Sequence, residues 1–123
     1  MIFASRIAET SLTIDGVSVV IDSGYDMENI YDNKNKKSIK KLNEISLSSA
    51  RQRAGRTGRT CSGYCFRLYS SEMKRHFQNY KTAEILKMSL ETIILRFKSI
   101  EIEDVLKFPF LSHPNLELYG KSV

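Results

Sequence analysis

The stretch ARQRAGRTGR at residues 50–59 constrains the fold most, because it packs Arg51, Arg53, Arg56 and Arg59 into ten residues. No Asp or Glu occurs between residues 45 and 71, where Arg67 adds a fifth guanidinium. The question these charges raise is what they face, since no carboxylate stands in their own neighbourhood. Arg53, Arg56 and Arg59 recur at every third position, which on a helix or tight turn projects them to one side. Like charges so spaced repel by a few tenths of a kcal/mol per pair, so an anion is expected opposite them. The planar guanidinium fork suits phosphate. Gly55 and Gly58 leave the backbone open to close approach. Gln52 adds a neutral amide able to orient a water. These are the parts of a phosphate sensor, in which an arginine reaching across a cleft speeds phosphoryl transfer by about a thousandfold or more. They equally fit a nonspecific nucleic-acid patch.

The bulk properties narrow the choice little. The chain has 123 residues, 41% of them hydrophobic and 27% charged, an ordinary globular balance. A net charge of +5 favours polyanions without selecting a fold. No apolar run is long enough to span a bilayer. The opening MIFASRIAET lacks the basic leader and long apolar core of a signal peptide. Cys61 and Cys65 fit neither zinc spacing nor a disulfide framework, so both are expected to be structural, in a reducing, intracellular setting.

Periodicity and turn signals predict the following elements. Residues 1–5 read as a short buried strand, and residues 14–22 (IDGVSVVID) as a β-branched strand closed by Ser23-Gly24. Residues 25–45 read as a polar hairpin with Lys34, Lys36, Lys37, Lys40 and Lys41 near its turn, either tracking a phosphate backbone or simply solvated. Ser48 and Ser49 are expected to cap a helix opening at Ala50. Residues 64–69 (YCFRLY) predict a strand, and Ser70-Ser71-Glu72 a helix start. Over residues 82–100, Ile85, Leu86, Leu90, Ile93, Ile94 and Phe97 form an amphipathic stripe, with residues 102–110 packed on that helix.

Two stretches carry a family resemblance. QRAGRTGR at residues 52–59 resembles motif VI of the DEAH-box RNA helicases, and IAETSLTIDG at residues 7–16 resembles their motif V. The hairpin between them and GYCFRLYS after them sit at the family's distances, so the resemblance runs from about residue 2 to residue 115. It implies an α/β fold: a partial RecA-like helicase C-terminal lobe with a β-hairpin insertion over residues 1–79, then a partial helical winged-helix segment over 80–115 and a divergent tail over 116–123. It also implies roles. Arg56 and Arg59 match arginine fingers, and Gln52 a residue near the attacking water. Ser11 and Thr13 match hydroxyls that couple nucleotide state to RNA grip, and Asp15 a carboxylate near the nucleotide's ribose. Ser5 matches a threonine on the RNA backbone. Arg6 stands where the family usually has Asn next to RNA; it adds a phosphate contact or marks a drifted site. Glu9 is either a structural carboxylate or a direct ligand.

By the same resemblance the cofactors are ATP and Mg2+, held mainly by a first lobe, and the partner is RNA. Spliceosomal or ribosome-assembly particles and a G-patch-type activator are further partners it suggests, with no membrane. A nucleus or nucleolus is its implied location, though no localisation signal supports one. No Walker A loop or acidic magnesium motif is present; Gly120-Lys121-Ser122 mimics only the end of the former. The chain is therefore expected to be a fragment, a truncated gene product or a stand-alone RNA-binding remnant, inactive as an ATPase by itself. Its amphipathic stripe is expected to lack partners, leaving exposed apolar surface and marginal stability.

Overall fold

The computed structural model describes residues 1–12, 14–32, 34–58, 62–102 and 104–114. Among the described residues there are two compact units: residues 1–28 with 42–81, and residues 29–41 with 82–114.

In the first unit, the β-branched run Val19–Asp22 (β1) pairs in parallel with Tyr64–Arg67 (β4). Val19 lies opposite Tyr64, and Asp22 opposite Arg67. A parallel pair needs a crossover, and this one contains Tyr25–Asp32 (β2), Lys37–Glu44 (β3) and the helix Leu47–Ala54 (α2). β2 and β3 pair with each other as the expected hairpin. The short helix Ile7–Thr10 (α1) precedes β1, and Ser71–His76 (α3) follows β4. The core is Ile45, Ala50 and Phe77, flanked by Leu47, Tyr69 and Met73. The rings of Tyr69 and Phe77 lie 5.1 Å apart. Ile21, Tyr64, Phe66 and Leu68 of the β1–β4 region stay exposed.

Serines cap each of the longer helices. Ser46, Ser70 and Ser89 accept from the backbone N–H groups of Ser49, Met73 and Thr92. The cap of α2 is thus Ser46, and the helix starts at Leu47 rather than at Ala50 behind Ser48-Ser49. The next free donors of α2 explain the earlier start: Leu47 N donates to Gln78 O and Ser48 N to Asn79 O, so the chain after α3 supplies acceptors that local sequence does not reveal.

Two further expectations are corrected. Residues 1–5 form no strand and are exposed, Met1 fully and Phe3 at 88%. Apolar residues favour extended backbone, but a strand needs a ladder partner, and β1 and β4 pair with each other. The strand expected over 14–22 begins only at Val19, because residues 15–16 turn, with Gly16 at φ +73°.

Glycine is required where β1 ends and where β4 begins. Gly24 turns the chain at φ +79°, and a Cβ there would sit 2.6 Å from the Tyr69 ring. At Gly63 a Cβ would lie 2.5 Å from the Ser18 carbonyl oxygen, which accepts from Tyr64 N to open the β1–β4 ladder. That carbonyl is backbone and cannot swing aside. Gly63→Ala is expected to destabilise the fold by about 1–3 kcal/mol; an unchanged urea midpoint would show that the ladder opens without strain.

The second unit joins the hairpin tip to the helix Leu90–Ser99 (α4), preceded by a 3-10 turn at Glu84–Leu86 and followed by one at Val105–Lys107. Tyr31 N donates to Lys87 O, and Lys36 pairs with Glu91 at 2.9 Å. Asp32 Oδ1 accepts from the backbone of Lys34 and Asn35, closing the turn. The stripe is less bare than its periodicity suggests. Leu90, Ile93, Ile94 and Val105 are buried, and Phe97 meets Phe108 and Phe110 edge-on at 4.6 and 5.3 Å. Residues 105–110 fold back as expected and cover it; Leu86, outside α4, is 50% exposed. No helix among the described residues is long and apolar enough to cross a membrane.

Candidate functional site

The acid-free arginine stretch finds its anions from distant segments, and its members diverge. Arg53 turns inward. Its Nε donates to Glu9 Oε2 at 3.0 Å, and its Nη1 to Asp22 Oδ1 at 2.9 Å and to the Tyr25 carbonyl at 3.1 Å. One guanidinium thus ties α1, the end of β1 and the start of β2 to α2. The carboxylates it holds are buried, Asp22 completely. Asp22 also accepts from Gly24 N and from the Tyr69 hydroxyl. The expectation that Arg53, Arg56 and Arg59 project to one side is therefore corrected for Arg53. α2 ends at Ala54 with Gly55 as its cap, so Arg56 lies in the turn beyond, and helical spacing no longer relates the two.

Lys81 extends the network. Its Nζ reaches Glu9 Oε1 at 3.1 Å and Asp26 Oδ2 at 3.6 Å, and Arg6 Nη1 approaches the same Asp26 oxygen at 3.9 Å. Burial pushes the Glu9 carboxyl up, but hydrogen bonds from Arg53, Lys81 and Ser49 outweigh it and hold the group below its usual 4.5. Burial likewise disfavours the Arg53 cation, yet Glu9 and Asp22 more than restore it. Of the two readings of Glu9, the structural carboxylate is the one its surroundings support. Because its folded-state value is depressed, Glu9 contributes stability that is fully present above about pH 4.5 and is lost as pH falls through that lower value. Glu9→Gln is expected to flatten this acid limb in thermal melts between neutral pH and pH 3; an identical limb would place the titrating group elsewhere.

Arg56 is differently placed. It donates through Nη1 to the Leu12 carbonyl at 3.3 Å, its buried Nε has no acceptor, and no carboxylate pairs with it among the described residues. That bond brings the turn after α2 against the loop after α1, so residues 12 and 56, 44 positions apart, meet. Ser11 caps the C-terminal end of α1 with its hydroxyl 3.3 Å from that of Thr10. Asp15 and Gln52 are exposed, Asp15 in the turn beside Gly16 and Gln52 on α2. Ser5 is exposed just before α1, and Arg6 occupies the N-cap position of α1 without a side-chain cap bond, its side chain 45% exposed. Thr13, Arg59 and Cys61 lie outside the described residues. Cys65, in β4, is half-buried, and burial raises its thiol above the usual range, as befits a structural cysteine. Among the described residues no group of three His, Cys, Asp or Glu side chains could hold a metal ion.

Asp22, Asp26, Tyr69 and Lys81 were not singled out by sequence. One signal pointed to them: a cationic stretch without acids of its own must draw carboxylates from elsewhere, and both aspartates flank the Ser23-Gly24 turn.

Residues 1–61 match the family described as the helicase conserved C-terminal domain. The chain is 42% identical over 123 residues to "Probable ATP-dependent RNA helicase DHR1" of Saccharomyces cerevisiae, covering 99% of this chain. It is 45% identical over 123 residues to "ATP-dependent RNA helicase DEAH11, chloroplastic" of Arabidopsis thaliana, covering 100% of this chain. It spans only 10% and 7% of those two relatives. The crystal structure of the E. coli DExH-box NTPase HrpB superposes with a TM-score of 0.85 at 26% identity, over 95% of this chain and 14% of that one. That agreement bears out the α/β, RecA-like helicase C-terminal fold expected from the sequence. With motif V and motif VI joined through Arg53 and Arg56, this chain belongs to the DEAH-box ATP-dependent RNA helicases, its residues 1–61 lying in their helicase conserved C-terminal domain.

Proposed function

We propose that this chain forms the nucleotide- and RNA-facing part of the second motor lobe of an ATP-dependent RNA helicase that remodels RNA or RNA–protein particles. The observation that carries this reading is the unequal use of the arginines. Arg53 is consumed by buried carboxylates, whereas among the described residues Arg56 bonds a single backbone carbonyl and its buried Nε is left without an acceptor. Phosphate is the anion that a guanidinium fork matches best.

In this reading Arg56 and Arg59 stabilise the charge of phosphoryl transfer, and Gln52 orients the water. Ser11 and Thr13 couple nucleotide state to RNA grip, Asp15 meets the ribose, and Ser5 and Arg6 contact the RNA backbone. ATP and Mg2+ are held mainly by the other lobe, and the ion supplies charge neutralisation at the phosphates. The Arg56 guanidinium, without a carboxylate partner among the described residues and with its buried Nε unsatisfied, fits a phosphate at this place.

The purified chain alone is expected to bind single-stranded RNA with an affinity that falls as salt rises, and to hydrolyse no ATP. Steady-state turnover sensitive to Arg56→Ala would refute the division of labour between lobes. Absence of any salt-dependent RNA binding would refute the RNA-facing part.

A further inference from the structure

We propose that Thr57 is a positioning residue for Arg56: it closes the turn after α2 on one side, stands on the start of β4 on the other, and so fixes where the Arg56 guanidinium lies. The inference rests on the reading of Arg56 as a contact to the transferring phosphate.

Thr57 does not have the surroundings of an ordinary turn residue. The turn after α2 is exposed at Gly55 and Gly58, yet Thr57 between them is only 7% exposed. Both of its donors serve one acceptor. Its N–H donates to the Ala54 carbonyl at 3.2 Å, and its hydroxyl donates to the same oxygen at 3.0 Å. Ala54 is the last residue of α2, so its carbonyl has no partner further along the helix. Two donors fill both lone pairs of that oxygen. One residue earlier, Arg56 N donates to the Arg53 carbonyl at 3.1 Å. The Arg56 backbone is thus held between two closed turns, and the second depends on Thr57.

The other side of Thr57 meets the sheet. A Cβ added to Gly63 would lie 2.7 Å from Thr57 Cβ, so no side chain separates the two residues. Gly63 immediately precedes β4, where Tyr64 N donates to the Ser18 carbonyl. A β-branched threonine is stiff at χ1, so one conformer keeps the hydroxyl on α2 while Cβ rests on Gly63. The Arg56 side chain, in contrast, bonds a single carbonyl among the described residues, that of Leu12 at 3.3 Å. One long bond steers a guanidinium weakly, so its direction is set from the backbone, where Thr57 acts. A misplacement of about 1 Å can cost about a hundredfold in rate.

The test is steady-state ATP turnover in a polypeptide carrying both motor lobes, with Thr57→Val, Thr57→Ser, Arg56→Ala, and Thr57→Val combined with Arg56→Ala. Urea unfolding of each variant reports stability separately. Thr57→Val keeps the bulk on Gly63 and loses the hydroxyl. It is expected to lower kcat about tenfold with KM for ATP within about twofold of wild type, the pattern of an interaction made only in the transition state. Thr57→Ser, which retains the hydroxyl, should recover most of kcat. In the Arg56→Ala background Thr57→Val should change turnover little, because its effect passes through Arg56. Thr57→Val turnover close to wild type, beside a slow Arg56→Ala, would overturn the proposal. So would a loss that persists undiminished without Arg56, or one that only follows the unfolded fraction. Turnover of Arg56→Ala close to wild type would instead sink the reading of Arg56 beneath it.

Discussion

Arg53→Leu is expected to destabilise this fold by about 3–5 kcal/mol, a large part of the roughly 5–15 kcal/mol that holds a domain together. The substitution preserves apolar bulk near the core, so the effect isolates the charge. It leaves Glu9 and Asp22 buried without the guanidinium that bridges them. Lys81 still serves Glu9, and Tyr69 and Gly24 still serve Asp22, which keeps the loss from being larger. The backbone also suffers, because Arg53 satisfies the Tyr25 carbonyl at the root of the hairpin. Arg53→Lys should recover less than half, since a single ammonium cannot reach both carboxylates with the fork's geometry. Urea unfolding at neutral pH measures this; a midpoint within error of wild type for Arg53→Leu would mean the buried network holds nothing together.

Much of the fold was legible because its determinants are local. The β-branched residues of β1, the Ser23-Gly24 turn, the polar hairpin and the aromatic β4 announce themselves within windows of a few residues. The motif spacing then identified the helicase family. What escaped was set by long-range partners. Residues 1–5 have strand propensity and no ladder. Ser46 displaced Ser48 and Ser49 as a cap because Gln78 and Asn79 present carbonyls to α2. The stripe on α4 looked unpartnered because periodicity describes one helix, not the phenylalanines that return to cover it. The arginines teach the same lesson at the site. Their spacing of three implied a common direction only if one helix contained them all, and α2 stops at Ala54. Arg53 falls within the helix and Arg56 past it, so one is tied to buried carboxylates and the other, half-buried, meets only the Leu12 carbonyl among the described residues.

That division is the central claim, and ATP turnover in a polypeptide carrying both motor lobes, with Arg56→Ala in this segment, tests it most directly. Among the described residues Arg56 contributes to folding a long hydrogen bond to Leu12 O and no ion pair, so its removal should cost about 1 kcal/mol of stability or less. Its proposed work is on the transferring phosphoryl group, where loss of such an arginine lowers turnover by about a thousandfold. The expected result is a motor that folds, binds RNA and ATP, and turns over about a thousandfold more slowly. Turnover within a few fold of wild type would contradict the account, and would assign Arg56 to the scaffold along with Arg53.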